Sequence, residues 1–403
     1  MATTSFLYHA LGVKGYRHRR TEYVGGVIRY HIGLREDRRR CRGCGRGPAG
    51  LHRAGRFERV FAAVPVGHRR QEIVLHGHVQ QCFHCGRSLR EPIGFAKGKQ
   101  RLVRALAAYV IRLCEVATIK DVAGLVGLGW DCVKEIFKGH LRCRLRKRSL
   151  RHVRWIAVDE FAIRKNARYL TVVLDLHTGE VLWVGNGRRA DALEPFLRRL
   201  RRCRAPLQAV AVDMWPAYTL AVRTVFPKVT IVHDPFHIVH LVNRAIDNAQ
   251  RELASHLPQS VRHRRGLRFV LLRAIEHLDD DGQQLLATLM TLNQPLYQCY
   301  LLKEQLRQLW SFASADLASS FLDQWIQQAR STGLRCFSAL ANTLHSHQLD
   351  ILSWYRFPIS TGPLEGLNNK IKVLKRQAYG FRDLEYFKLR LAFIGSSTPR
   401  FPG

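Results

Sequence analysis

The spacing of apolar positions changes several times along this chain, and each change predicts a different kind of element. Glu72-Ile73-Val74-Leu75-His76-Gly77-His78-Val79 shows strand-like alternation. From Leu102 the period lengthens: Leu102, Leu106, Tyr109, Val110 and Leu113 form a helical stripe. Thr118 is placed to cap a second helix through Val126, Gly127-Leu128-Gly129 breaks it, and a third helix is expected from Trp130 to Phe137. Short apolar runs then take over. Trp155–Val158, Tyr169–Leu174, Val181–Val184, Gln208–Val212 and Val229–Val232 read as five strands. A helix with Leu193, Phe196, Leu197 and Leu200 on one side follows the third strand, and a helix beginning at Pro216 follows the fourth. Helical period returns from Ile238 to about Trp354, as in Leu317, Phe321, Trp325 and Ile326. A last helix carries Leu364, Leu367, Ile371 and Leu374 toward a core, with Pro363 at its first position and Gly362 as its N-cap.

A strand meander followed by strands alternating with helices predicts a mixed sheet covered by helices, an α/β multidomain chain. At 403 residues the length exceeds one ordinary domain. The pattern divides it into 1–100, a cysteine-bearing module; 101–150, three short helices and a basic run; 151–240, the sheet; 241–356, helices; and 357–403, the segment of the last helix.

Composition adds a charge of +34, from 65 Lys+Arg against 31 Asp+Glu. A surplus of that size points to a polyanionic partner, with double-stranded DNA the default. No apolar run is long enough for a membrane span, so no membrane partner is expected. Met1-Ala2-Thr3-Thr4-Ser5 lacks the pattern of a secretory signal, which predicts a cytoplasmic, nucleoid-associated protein with reduced cysteines. Cys41-Arg42-Gly43-Cys44-Gly45 and Cys82-Phe83-His84-Cys85-Gly86 are two C-x-x-C knuckles, each followed by glycine, and predict a structural Zn²⁺ site of four thiolates. The step from Cys44 to Cys82 is longer than a zinc ribbon's, so a small β-sheet is expected between the knuckles. The three helices with their glycine turn fit a helix-turn-helix, a pattern that any three-helix packet shares. The basic run beside it includes Lys134, Lys138, Arg144 and Arg148, read as phosphate contacts against the alternative of a solvated linker.

The candidate chemistry is acidic. Asp159 follows the first strand of the sheet, Asp213 the fourth, and Glu365 lies in the first turn of the last helix. Two carboxylates at adjoining strand ends repel unless a divalent cation holds them, and oxygen ligands suit Mg²⁺ or Mn²⁺. Taken singly, each aspartate is equally a cap or turn former, and Glu365 a complement to the helix dipole. Their recurrence favours a joint site. Glu160 adjoins Asp159 but alternation points it to the other face. Lys370, Lys372 and Arg376 lie beside Glu365 and are expected to hold DNA backbone.

These residues resemble the ISL-three family of DDE transposases. The resemblance rests on Val158-Asp159-Glu160-Phe161-Ala162, Val212-Asp213-Met214-Trp215 with Tyr218, and Thr361-Gly362-Pro363-Leu364-Glu365-Gly366-Leu367-Asn368-Asn369-Lys370. His233-Asp234-Pro235-Phe236-His237 and Arg376-Gln377-Ala378-Tyr379-Gly380-Phe381-Arg382 support it. The resemblance implies an RNase H-like sheet with a helical insertion over 241–356, and Asp159, Asp213 and Glu365 as a metal-binding catalytic triad. It also implies cleavage and strand transfer at the terminal inverted repeats of a transposon, and a homodimer on DNA is expected because two ends must be handled together. Asp234 and His237 resemble the auxiliary Asp-x-x-His element of such enzymes. A DNA-binding regulator that has lost its chemistry would show a degraded triad, and a branched-DNA nuclease would leave the cysteine module without a role.

Overall fold

The computed structural model describes residues 6–164, 168–253, 266–378 and 381–394. They form two compact units that divide between Lys147 and Arg148.

The first unit begins with a short helix, α1 (Phe6–His9), and is built on a sheet of β1 (Tyr16–Val24), β2 (Val27–Leu34), β3 (Leu51–Val66), β4 (Arg69–Cys82) and β5 (Ser88–Arg90). The strand order is β1-β2-β4-β3, with β5 also paired to β4. The long β3–β4 hairpin explains the wide knuckle spacing: its register sets Leu51 opposite Cys82, so the chain runs out and returns to where it left the first knuckle. Three helices follow, α2 (Arg104–Val116), α3 (Ile119–Val126) and α4 (Trp130–Lys147). The Thr118 hydroxyl oxygen accepts from the Asp121 amide at 3.2 Å and caps α3. Gly127 ends that helix at φ 66°, a left-handed conformation that glycine adopts without steric cost. The expected third helix stops at Phe137, but α4 continues ten residues further, to Lys147. Val133, Phe137, Lys138 and Leu141 stay buried along one side, so Arg142, Arg144, Arg146 and Lys147, which read as a tether, are exposed positions of a longer helix.

The second unit opens with the meander β6 (Trp155–Arg164), β7 (Arg168–Asp175) and β8 (Val181–Asn186), then α5 (Ala190–Arg202), β9 (Ala209–Val212), α6 (Pro216–Val225) and β10 (Thr230–His233). The sheet order is β10-β9-β6-β7-β8, with β9 parallel to both β6 and β10 and the meander antiparallel. Helices of a body follow: α7 (Pro235–Glu252), α8 (Leu267–Leu272), α9 (Asp280–Leu292), α10 (Gln294–Arg307), α11 (Ala315–Ser331), α12 (Arg335–Ser346) and α13 (Gln348–Leu352). They close around their own core, including Tyr300, Trp325 and Phe337. The chain then returns to the sheet with α14 (Gly362–Gln377) and α15 (Leu384–Leu391).

Alternation along β6 sorts the sheet's two faces. Ile156 and Val158 meet α5 and α6 through Leu193, Phe196, Tyr218 and Val222. Ala157 and Phe161 meet α14 and α15 through Leu364, Leu367, Ile371 and Phe387. The sheet is thus the middle layer of three. Tyr379 and Gly380 of the sequence motif lie outside the described residues.

Candidate functional site

Asp159 shares its parity with Ala157 and Phe161 and therefore faces the α14 side of the sheet, with Glu160 on the α5/α6 side. The strand does not end there, as the sequence had implied. β6 continues to Arg164 because β7 pairs with it throughout, Asp159 opposite Val172 and Glu160 opposite Thr171. What ends is the parallel pairing on its other edge, at Val158 opposite Val212. Asp213 is the next residue after β9, so the two aspartates leave the same end of two neighbouring parallel strands. Asp159 Oδ1 accepts the Glu160 amide at 2.7 Å, and Asp213 Oδ1 the Met214 amide at 2.6 Å. His237, in the first turn of α7, brings Nδ1 to 3.8 Å from Asp213 Oδ1.

Glu365 arrives on α14. That helix buries Leu364, Leu367 and Ile371 and leaves Glu365, Lys370, Lys372 and Arg376 exposed. Its N-cap is Thr361 rather than Gly362, and Thr361 makes no capping bond with its side chain. The hydroxyl is instead donated to the carboxylate of Asp234, which is itself buried and caps α7 by accepting the Phe236 amide at 3.2 Å. One carboxylate thus fixes the starts of two helices. Three residues beyond Glu365, on the same side of the helix, Asn368 donates Nδ2–H to Asp159 Oδ2 at 3.2 Å. This bond between residues 209 positions apart locks α14 onto β6, and sequence reasoning had not singled out Asn368. Its sequence signals were the i+3 spacing from Glu365 and its place within the Thr361–Lys370 stretch.

The Asp159 carboxyl is pushed above the usual carboxylate range, first by burial and further by Asp213, against its hydrogen bonds and His237. Burial likewise raises Glu160, opposed by Arg188 at 4.0 Å. Arg188 stacks over Tyr169 and Trp215, with its guanidinium carbon 4.7 and 5.3 Å from the ring centroids. The Tyr218 hydroxyl, bonded to Thr171 at 3.0 Å, is buried and pushed up to about 12. Glu160, Phe161 and Ala162 of β6 line one groove with Asn368, Lys372, Lys375 and Arg376 of α14. The ligand atoms of Asp159, Asp213 and Glu365 are not all within 4.8 Å of one another. A desolvated carboxylate beside a second one, with a third on the facing helix, is nonetheless a donor set that suits a hard divalent cation.

The four knuckle cysteines do converge, with all four sulfurs within 4.8 Å of each other. Cys41 Sγ lies 3.6 Å from Cys85 Sγ, and Cys44 Sγ 3.6 Å from Cys82 Sγ. Tetrahedral Zn–S bonds of about 2.3 Å place sulfurs roughly 3.8 Å apart. The knuckles are built alike: Gly45 N–H donates to Cys41 O and Gly86 N–H to Cys82 O, both at 2.9 Å, with the glycines at φ 77° and 67°. The backbone amides of Cys44 and Gly43 hold the Cys41 thiol down at about 6.

The basic residues separate. Arg144 is exposed, 3.8 Å from Glu115. Lys134 is mostly covered, 4.9 Å from the Trp130 ring and 3.6 Å from Asp131. Lys138 is buried. Arg148 donates to the carbonyl oxygens of Val181 at 2.5 Å and Ala392 at 3.2 Å, so its charge braces its own unit.

A family profile described as Transposase, that of the ISL-three DDE group, matches residues 156–391. The chain is 36% identical over 323 residues to the transposase of insertion sequence element IS1001 from Bordetella parapertussis, covering 78% of this chain and 80% of that one. It is 28% identical over 331 residues to the transposase of element IS1557 from Mycobacterium tuberculosis, covering 74% and 71%. Among solved structures it is similar to the Drosophila P element transposase strand transfer complex, with a TM-score of 0.41 and 10% identity over 72% of this chain and 91% of that one. The chain belongs to the ISL-three family of DDE transposases and is an enzyme that acts on DNA.

Proposed function

We propose that this transposase binds the terminal inverted repeats of its element and performs metal-dependent strand cleavage and strand transfer, with Asp159, Asp213 and Glu365 as the acidic triad. The observation that carries the reading is the pairing at one sheet end. Asp159 and Asp213 sit side by side on parallel strands, and Asn368 ties the helix of Glu365 to Asp159. The strand order, with three antiparallel strands followed by two parallel ones and helices on both faces, supports an RNase H-like core in two parts, 151–240 and 357–403, around the insertion 241–356. The α2–α4 packet with its Gly127 turn supports a helix-turn-helix in 101–150, and the four-sulfur cluster a structural Zn²⁺ in 1–100.

Asp159, Asp213 and Glu365 would hold Mg²⁺ or Mn²⁺. Such ions activate an attacking oxygen and stabilise the leaving oxygen of a phosphodiester. The protein's own residues supply position. Asn368 keeps Asp159 Oδ2 turned toward α14, and the Glu160 amide keeps Oδ1 from rotating away. Asp234 holds the N-terminus of α14, and with it Glu365, against the sheet. His237 offers a proton-bearing ring beside Asp213. Lys372 and Arg376 present cations to a DNA backbone along the groove, and Lys370 stands exposed on the same helix. Since two element ends are handled together, the working form is a homodimer on DNA.

Cleavage of labelled terminal DNA in Mg²⁺, with chelator as control, tests this. Asp159→Asn, Asp213→Asn and Glu365→Gln should each abolish cutting while the protein still binds the ends. Undiminished cutting by any of the three removes that residue from the triad.

A further inference from the structure

A second cluster of possible ligands lies in the same unit, and the triad does not use it. His233 ends β10, His347 follows α12, and Asp350 lies in α13. One ligand atom from each falls within 4.8 Å of the other two. His233 Nε2 is 3.2 Å from His347 Nδ1 and 3.7 Å from Asp350 Oδ2. Ligands on a tetrahedral zinc with bonds of about 2.0–2.1 Å stand roughly 3.3–3.4 Å apart. The spacing therefore leaves room for an ion at the centre with little movement.

The far side of His233 is also arranged as metal-binding histidines require. Its Nδ1 is 3.4 Å from the Val212 carbonyl oxygen. A proton donated there leaves the lone pair on Nε2, facing His347 and Asp350. The ring is fully buried, so it has little freedom to turn away. Asp350 takes Arg223 Nη2 at 3.1 Å on Oδ1 and 2.8 Å on Oδ2. The Arg223 side chain is 58% exposed and able to stay on Oδ1 while Oδ2 serves as a ligand.

We propose that His233, His347 and Asp350 form a structural divalent-metal site, with Zn²⁺ its natural occupant, that pins the helical insertion to the sheet. Two imidazoles and one carboxylate suit zinc and are poor partners for Mg²⁺ or Ca²⁺. The pin spans 114 positions of chain from His233 to His347. It lies next to Asp234, which holds the start of α14, so an ion here would steady the element that carries Glu365.

The test uses full-length protein stripped of metal and refilled with Co²⁺ alone. Wild type should take up cobalt in two spectroscopic classes: one with thiolate-to-cobalt charge transfer from the cysteines, and one with tetrahedral d–d bands and no such transfer. His347→Ala and Asp350→Ala should each lose the second class, about one equivalent, and keep the first. Asp213→Asn should keep both, which separates this site from the acidic one. Wild type lacking the second class overturns the proposal whether or not a variant folds, and so does a His347→Ala protein that retains it.

Discussion

Asp159 and Asp175 both end stretches of buried strand, yet their carboxylates do different work. Asp175 holds its own turn, Oδ1 accepting the His177 amide at 3.0 Å and Oδ2 the Thr178 hydroxyl at 2.9 Å, with His152 Nε2 also 3.3 Å from Oδ2. Asp159 spends one oxygen locally and turns the other to Asn368 across the sheet–helix boundary. The bond to the helix of Glu365 is what separates Asp159 from a turn former, and it is a tertiary fact. Apolar runs revealed where aspartates emerge from the sheet. They carried no trace of Asn368, whose amide resembles any polar residue on a helix, or of Arg188, whose ring partners lie on β7 and before α6. His233 was quoted within its motif but not singled out, because its partners lie more than a hundred residues away. Asn368→Ala deletes a hydrogen bond to a carboxylate, an interaction worth about 1.5–3 kcal/mol. Cleavage should therefore slow by roughly 10- to 100-fold, with DNA affinity unchanged. A variant that cleaves at the wild-type rate would show that the bond positions nothing the reaction needs.

At the scale of elements, the start of α14 is the joint on which the site depends. Thr361→Val removes the only side-chain hydroxyl bonded to the buried Asp234 carboxylate among the described residues, and should cost about 1–3 kcal/mol in urea unfolding. Thr361→Ser should restore most of it. Apolar spacing located this helix correctly but placed its cap at Gly362, since no local rule says that a threonine hydroxyl will serve another helix's aspartate instead. The same limit applied to α4, where a dense run of cations masked a helical stripe that continues through Leu141. Among the helices that follow the sheet, Arg307 clamps Glu276 with contacts of 2.5 and 3.1 Å, and that bond pulls the Glu276 carboxyl from its ordinary 4.5 down to about 2. A depressed carboxylate stabilises the fold above its unfolded pKa and loses that effect as pH falls through the folded one. Thermal stability should therefore drop between about pH 4.5 and pH 2 partly through this pair. Glu276→Gln should flatten that part of the profile, and an unchanged profile would assign acid sensitivity elsewhere.

For the whole molecule, a net charge of +34 favours a polyanionic partner but does not say which cations would displace the counterions condensed on DNA. The structure narrows the choice. Arg148 is spent on backbone carbonyls and Lys138 is buried, whereas Lys370, Lys372 and Arg376 stand exposed on the helix that presents Glu365. If these three lie on phosphates, each releases close to one condensed ion on binding, and log affinity falls with log salt by about 0.9 per contact. A Lys370→Ala, Lys372→Ala, Arg376→Ala protein should then show a salt slope shallower by roughly 2.7, weakening DNA of any sequence alike. Reading the slope separates this from a local folding defect. A misfolded fraction lowers apparent affinity equally at every salt concentration, while a lost phosphate contact changes the gradient. A parallel displacement with the wild-type slope would mean that the DNA path avoids α14, and Glu365 would then have to act without a backbone clamp beside it.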